Sequence, residues 1–366
     1  MPNAPQGAFC FGSHLTLLWH PRQWRSVLVG SLLALVAACS RGPVPVQLDG
    51  PTMGTSYSVT ITRLPRGVQR SEVQIAIASV LSDADVHLSG WNDASELVRV
   101  NASESTEWLP ISPILFAAVA QAHAVSVASG GAFDITVGPL VRAWGFGAGA
   151  GDDPPAPSTE AIQRLLTDVG YTKLALRATP PALRKSVPGL ALDLDGIAPG
   201  WAVDRIADRL EALGITDYLV ELGGEVTARG KSPEGRCWRV AVERPVAGQR
   251  SVQVVIELDG LGVSTSGDYR EYREIDGRRI SHTIDPRTGM PAMHGLASVT
   301  VVHASLADAD AWATALMVAG PEQGMAIARR HGLPVLFIRR GSEPGVFIES
   351  ETPEFARLRL PQPARL

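Results

Sequence analysis

Along this chain the spacing of apolar residues changes period several times, and each change marks an element. YSVTIT (57–62) alternates and predicts a first strand. Residues 70–88 switch to helical spacing, and PILFAAVAQAHAVSVAS (113–129) predicts a helix whose small residues suit close packing. GAGAGDDPPAPS (147–158) has neither period; it predicts a loop that separates two subdomains or lies over a site. A helix over 159–169, a short strand ending at LDLD (192–195) and a helix over 200–213 follow. YLVELGG, EVTARG, WRVAVERP, SVQVVIEL and GLGVSTS then predict strands at short spacing, some joined by turns, hence a mainly antiparallel sheet. Strands at 279–284 and 297–303 lead into a helix containing LADADAWATALM (306–317); a helix over 321–331 and strands near 334–338 and 344–348 close the domain. With no repeat or heptad pattern, the expected class is α+β, with helices packed on a mainly antiparallel sheet.

The N-terminus reads differently. Arg22 and Arg25 precede SVLVGSLLALVAAC, a targeting-type apolar run too short to span a bilayer as a stable helix. VAAC (36–39) looks like a bacterial lipobox, which implies cleavage before Cys39 and lipid on its thiol; an uncleaved anchor or an ordinary secretory signal are the alternatives. Residues 1–21 make a long leader, the pattern left by a start assigned upstream of the real one. Ser40, not Asp, follows the cysteine, so no inner-membrane retention signal is evident. The expected organisation is a signal peptide over 1–38, a tether over 39–50, a folded domain over 51–350 and a tail over 351–366.

Composition narrows the function classes. Apolar residues make up 45% of 366, enough for a sizeable core and too many for disorder. A net charge of −4 provides no basic field for a phosphate backbone, so nucleic acid is not an expected partner. Cys10 and Cys39 fall in or at the end of the leader, which leaves Cys237 as a lone packing thiol and excludes an intrachain disulfide or a thiolate metal site in the folded part.

LADADAWATALM places two acids in an apolar, alanine-rich run, and an ionised carboxylate buried there needs a partner. Ser305 and Asp308 form a capping-box-like start, with both serving first-turn amides. Asp310 points about 200° away from Asp308, whereas Thr314, one turn later, shares its face. An Asp and a Thr so placed supply the oxygens that a hard cation such as Mg²⁺ prefers. Taken alone, the segment fits better the ordinary arrangement, a hydroxyl bonded to the carboxylate or back to the helix.

Three further segments carry possible chemistry. GAFDITVGPLVRAWGFG (131–147) crowds glycines, aromatics and an acid, as a loop does where backbone approaches a ligand. LDLDGIAPGWAVD (192–204) runs through Gly196 and Gly200 into a helix N-terminus, which suits phosphates. VSTSGDYREY (263–272) and RISHTIDPRTGMP (279–291) complete the set; the latter places His282 before a turn, where a histidine is more often structural than catalytic. GxGxxG and Walker-type lysine motifs are absent, which argues against ordinary dinucleotide and nucleoside-triphosphate folds.

In order from about residue 50 to 345, TMGTSYSV, SGWNDASEL, GAFDITVGPLVRAWGFG, LDLDGIAPGWAVD, LVELGGEV, VSTSGDYREY, SHTIDPRTGMP and DADAWATALMV closely resemble the ApbE-type flavin transferases. The resemblance implies a T-fold-like architecture and transfer of FMN from FAD to a Thr or Ser of an acceptor flavoprotein. Acceptors in that family include subunits of sodium-translocating or Rnf-type respiratory complexes and extracytoplasmic flavoproteins. It implies Mg²⁺ ligands at Asp310, Thr314 and the Gly196 carbonyl, and FAD contacts at Met53, Trp91, Ala132, Phe133, Asp134, Asp193, Pro199 and Ile284. His282 falls on the base position. With the lipobox it implies a membrane-anchored lipoprotein facing the periplasm. Pro199 stands where relatives often carry Lys or Glu, which removes a charge or hydrogen bond; Asp195 replaces a small residue and adds a metal ligand or caps the next helix. The same site would serve a metal-dependent FAD pyrophosphatase, and a non-catalytic flavin-binding lipoprotein is a third reading.

Overall fold

The computed structural model describes residues 44–361, apart from 151–153, 247, 249–250, 270–271, 276 and 344. The expected signal peptide and Cys39 therefore lie outside the described residues. The chain runs β1 (Val46–Thr52), β2 (Thr55–Ile61), α1 (Arg70–Leu88), α2 (Glu96–Ala102), β3 (Leu109–Pro110), α3 (Pro113–Ala128), α4 (Gly138–Ala143) and α5 (Thr159–Leu166). Next come β4 (Leu174–Ala178), β5 (Pro181–Lys185), α6 (Ala198–Ala212), β6 (Tyr218–Leu222), β7 (Glu225–Arg229), β8 (Trp238–Glu243), β9 (Val252–Leu258) and β10 (Leu261–Gly267). The chain closes with β11 (Tyr272–Ile275), β12 (Arg278–Ser281), β13 (Leu296–His303), α7 (Leu306–His331), β14 (Val335–Arg340), β15 (Phe347–Glu351) and α8 (Pro353–Ala356).

The fold is α+β. Its main sheet has eight strands in the order β1-β2-β6-β7-β10-β13-β14-β15, antiparallel at every neighbour. Strand period two divides the core. Val299, Val301, Val335 and Phe337 face a helical layer from α1, α3, α6 and α7, while Val302, Leu336 and Ile338 face the β8–β9 hairpin and α8. β13 is buried on both faces, so LASVTVVH reads as a nearly continuous apolar run instead of an alternation.

Several boundaries differ from the sequence reading. The expected tether ends earlier, because Val46–Gly50 already pair with β2. The first part of the expected tail is packed structure: Glu351 ends β15, Thr352 caps α8, and Phe355 is fully buried. Residues 192–195 form no strand; only Ala191 makes a bridge, to Val137. The final strand before the DPRTGM turn ends at Ser281, so His282 sits just beyond it. Helices expected at 306–317 and 321–331 are one element broken at Gly320 (φ 81°) before Pro321. Pro321 has no N–H for the Met317 carbonyl. His294 Nε2 donates to that oxygen instead, at 2.6 Å.

Asp308 is not the acid that serves the first turn of α7. Asp204 accepts from the amides of Leu306 (2.9 Å) and Ala307 (3.1 Å) and from Ser305 Oγ (2.8 Å). Ser305 Oγ accepts from the Asp308 amide, and the Asp308 carboxylate accepts from Gln121 Nε2 at 2.9 Å. Cys237 is half-buried beside Lys231 Nζ at 3.3 Å, so it lies at the edge of the packing and outside the core.

Candidate active site

A cavity of about 860 Å³ opens between the start of α6, the first half of α7, the end of β10 and the loops after α1, α3 and β12. All twelve positions implied by the family resemblance line it: Met53, Trp91, Ala132, Phe133, Asp134, Asp193, Gly196, Pro199, His282, Ile284, Asp310 and Thr314.

One end is made of oxygens on regular elements. Asp310 is 6% exposed, and its Oδ2 lies 3.4 Å from the Gly200 amide. A Cβ at Gly200 would lie 2.6 Å from the Leu306 carbonyl oxygen, so only glycine lets α6 approach α7 this closely. Thr314 lies one turn further on, with its hydroxyl 3.2 Å from Ser266 Oγ. A Cβ at Gly196 would stand 3.2 Å from both Thr314 Oγ1 and the Phe133 ring, so the bare backbone of that turn is what fits against Thr314. Burial pushes the Asp310 carboxyl well above the usual carboxylate range, and the negative charges of Glu225 and Asp195 push it further; the Gly200 amide opposes them. A carboxylate pressed toward neutrality by its neighbours is one that an added cation relieves. The Asp310 carboxylate and the Thr314 hydroxyl, with the Gly196 backbone against the latter, are hard-oxygen groups of the kind that suits Mg²⁺.

The other end is made of rings on loops. Met53 and Gly54 form the two-residue turn between β1 and β2, with Met53 at φ 45°. A left-handed conformation is uncommon for a non-glycine residue, and here it sits at the cavity wall. Trp91 is 66% exposed, and its Nε1 donates to Asp195 Oδ2 at 3.3 Å. The departure at Asp195 therefore meets an indole, while Ile197, the residue before α6, makes no side-chain cap. Pro199 occupies the first turn of α6, where a missing N–H costs nothing. Asp134 is buried, and its carboxylate accepts from the Thr136 amide and hydroxyl (2.9 and 2.7 Å) and the Tyr171 amide (2.7 Å). That carboxylate shapes the loop that presents Ala132 and Phe133. His282 stands edge-on to Phe146, with centroids 6.3 Å apart at 69°.

Residues 53–337 match the ApbE family. The chain belongs to that family. It is 41% identical over 317 residues to a FAD:protein FMN transferase of Vibrio cholerae, covering 87% of this chain and 93% of that one. It is 38% identical over 328 residues to a FAD:protein FMN transferase of Escherichia coli, covering 86% and 92%. Among solved structures, the apo flavinyl transferase ApbE of Pseudomonas stutzeri superposes with a TM-score of 0.78 at 41% identity, over 86% of this chain and 96% of that one. An ApbE protein from Thermotoga maritima reaches 0.76 at 27% identity, over 87% and 100%.

Within this ApbE site the structure adds residues that the sequence reading did not name. Glu225 lines the cavity and accepts from Ser264 Oγ at 3.1 Å; Ser266 and the buried Tyr269 also line it. Asn101 brackets Leu192, with Nδ2 donating to its carbonyl at 2.8 Å and Oδ1 accepting from its amide at 2.7 Å. This pair anchors the 193–196 turn, together with the Asp193 amide, which donates to the Ile135 carbonyl at 2.7 Å. Fully buried Lys185 donates to the carbonyls of Val100 (3.3 Å) and Ser103 at the end of α2, and to that of Pro188 (3.4 Å). A cation at a helix C-terminus offsets part of its burial. For Asn101 the only available signal was its place at the end of an amphipathic turn, which does not reveal a partner 91 residues away.

Proposed function

We propose that this chain is a FAD:protein FMN transferase that moves FMN from FAD to a threonine or serine hydroxyl of an acceptor flavoprotein, releasing AMP. The observation that carries this reading is the meeting, in one cavity, of a buried oxygen set at one end and a histidine among rings at the other. The two ends match the two demands of the reaction. A pyrophosphate needs its charge offset, and an isoalloxazine ring needs apolar and stacking surface.

The Asp310 carboxylate, the Thr314 hydroxyl and the Gly196 carbonyl would hold Mg²⁺. When bound, Mg²⁺ offsets charge on the pyrophosphate. The rest falls to the chain's own groups. Trp91, Met53 and Phe133 supply surface for the rings of FAD. His282 takes the proton from the acceptor hydroxyl as its oxygen bonds to the FMN-side phosphorus. The bond from that phosphorus to the bridging oxygen breaks, and AMP leaves with the electron pair. A base so positioned contributes roughly 10²–10⁴ in rate. Pro199 offers no charge to FAD, so binding relies on the remaining contacts.

We place the protein at a bacterial membrane, lipid-anchored through Cys39 and facing the periplasm. The lipobox VAAC supports this. Among the described residues, no helix is long and apolar enough to cross a membrane. Incubation with FAD, Mg²⁺ and a candidate acceptor, followed by mass measurement of that acceptor, tests the reading. An FMN adduct on Thr or Ser with equal AMP release is the expected result. AMP release without an acceptor would make the chain a pyrophosphatase, and no release would leave only flavin binding.

A further inference from the structure

The corner of the cavity that holds His282 is assembled from two stretches distant in sequence. Phe146 and Gly147 come from the segment after α4, His282 to Ile284 follow β12, and Pro286 begins the next turn. Leu140, Trp144, Phe146, Ile280 and Ile284 form a small apolar cluster behind them. Apolar contact is non-directional and does not by itself fix the angle of a ring.

The directional links across this corner are polar. Trp144 Nε1 donates to the Gly289 carbonyl at 2.8 Å, tying the segment after α4 to the DPRTGM turn. Arg273, half-buried on β11, donates from Nη1 to the Trp144 carbonyl at 2.7 Å and from Nη2 to the Pro154 carbonyl at 2.6 Å. Its guanidinium thus joins the Trp144 and Pro154 carbonyls to the hairpin that leads to His282. A side chain at Gly145 would overlap that guanidinium, so the glycine and the arginine fit as a pair. Phe146, one residue further on, is the ring that meets His282 edge-on.

We propose that Arg273 is a positioning residue for the transfer reaction: its fork holds the Trp144 and Pro154 carbonyls so that Phe146 holds the His282 imidazole at the cavity wall. The proposal rests on the role of His282 given above. A planar fork holds two donors at fixed spacing and orientation, which a freely rotating ammonium on a flexible stem does not.

The test uses the full chain with FAD, Mg²⁺ and the acceptor that the wild type modifies. A misplacement of about 1 Å costs on the order of 10²-fold in rate. Arg273→Ala should therefore lose roughly ten- to a hundredfold in kcat, with the KM for FAD near the wild-type value. Millimolar guanidinium should restore activity to this variant, and equal sodium chloride should not. Phe146→Ala should show a similar loss, and the double variant should be no slower than Phe146→Ala alone, because the two act through one contact. Arg273→Lys, the milder change, should fold and lose part of kcat, which keeps the test decisive if Arg273→Ala is unstable. Wild-type kcat in Arg273→Lys, or multiplied losses in the double variant, would overturn the proposal. So would a loss confined to thermal stability. A wild-type chain that neither releases AMP nor forms an adduct would instead remove the functional reading and this inference with it.

Discussion

At one end of the cavity Asp310, Thr314 and Ser266 ride on a long helix and a central strand, with the Gly200 amide of another helix's first turn against Asp310. At the other, Met53, Trp91, Phe133, Phe146 and His282 sit on turns and loops. The first end handles charge, whose energy depends steeply on distance and burial, and it is built where the backbone is least free to move. The second presents surface, for which shape and contact suffice, and loops tied by a few directional hydrogen bonds provide it. The 193–196 turn joins the two, carrying Gly196 toward Thr314 and Asp195 toward Trp91.

The comparison breaks most sharply at Asp310. Asp310→Ala should abolish FMN transfer and with it the stabilisation by Mg²⁺, which at a hundred times its Kd is about 2.7 kcal/mol for the intact protein. Thermal unfolding with and without Mg²⁺ reads the second effect without any acceptor; full Mg²⁺-dependent activity in the variant would refute the ligand assignment. At the ring end, His282→Ala should lose roughly 10²–10⁴ in turnover while FAD still binds. Quenching of flavin fluorescence measures the binding, and unchanged turnover would make His282 a structural residue.

Asn101→Ala should act on both ends at once. It leaves the Leu192 amide and carbonyl without their bracket, a loss of about 1–3 kcal/mol per stranded group. Weaker Mg²⁺ stabilisation together with a higher KM for FAD would show that the turn couples the two ends. A change in only one of them would show that the ends are independent.

The smallest effect concerns the helix that carries Asp310 and Thr314. Burial holds the His294 imidazole below its ordinary titration range, against the pull of the Met317 carbonyl. Its Nδ1 is buried without a hydrogen-bond partner among the described residues, so a second proton there would be stranded. A depressed histidine is neutral in the fold while the unfolded chain takes up the proton, so stability is lost as pH falls below about 6.5. Urea unfolding at neutral and mildly acid pH should show a loss of up to about 1.4 kcal/mol per pH unit, and His294→Gln should remove that share of the slope. An identical slope in the variant would sink this assignment.

Much of the fold was legible because helices and strands announce themselves locally. Residues 70–88 carry helical spacing and form α1 over the same range, and Asp310 with Thr314 follows from 3.6-residue periodicity. The C-terminal helix was also legible in principle, since TPEF places a capping Thr before Pro and Glu. Asp308 was misread for a different reason. A serine with an acid three residues later is a sound local cap, but Asp204, about a hundred residues earlier, reaches the same amides once α6 packs beside α7. The strand expected at 192–195 failed similarly: an apolar run there pairs with an asparagine side chain and not with a neighbouring strand.

By itself the sequence determined the element types, the antiparallel character of the sheet, the face shared by Asp310 and Thr314, and the ordered strings that mark an ApbE protein, because each is written within one or two turns of chain. Only the tertiary structure decided which acid caps α7, which asparagine holds the 193–196 turn and which arginine bonds the Trp144 and Pro154 carbonyls. Those are hydrogen bonds between groups tens to hundreds of residues apart. Their partners are chosen by how the layers pack, and a polar side chain carries no mark of its distant partner until that packing exists.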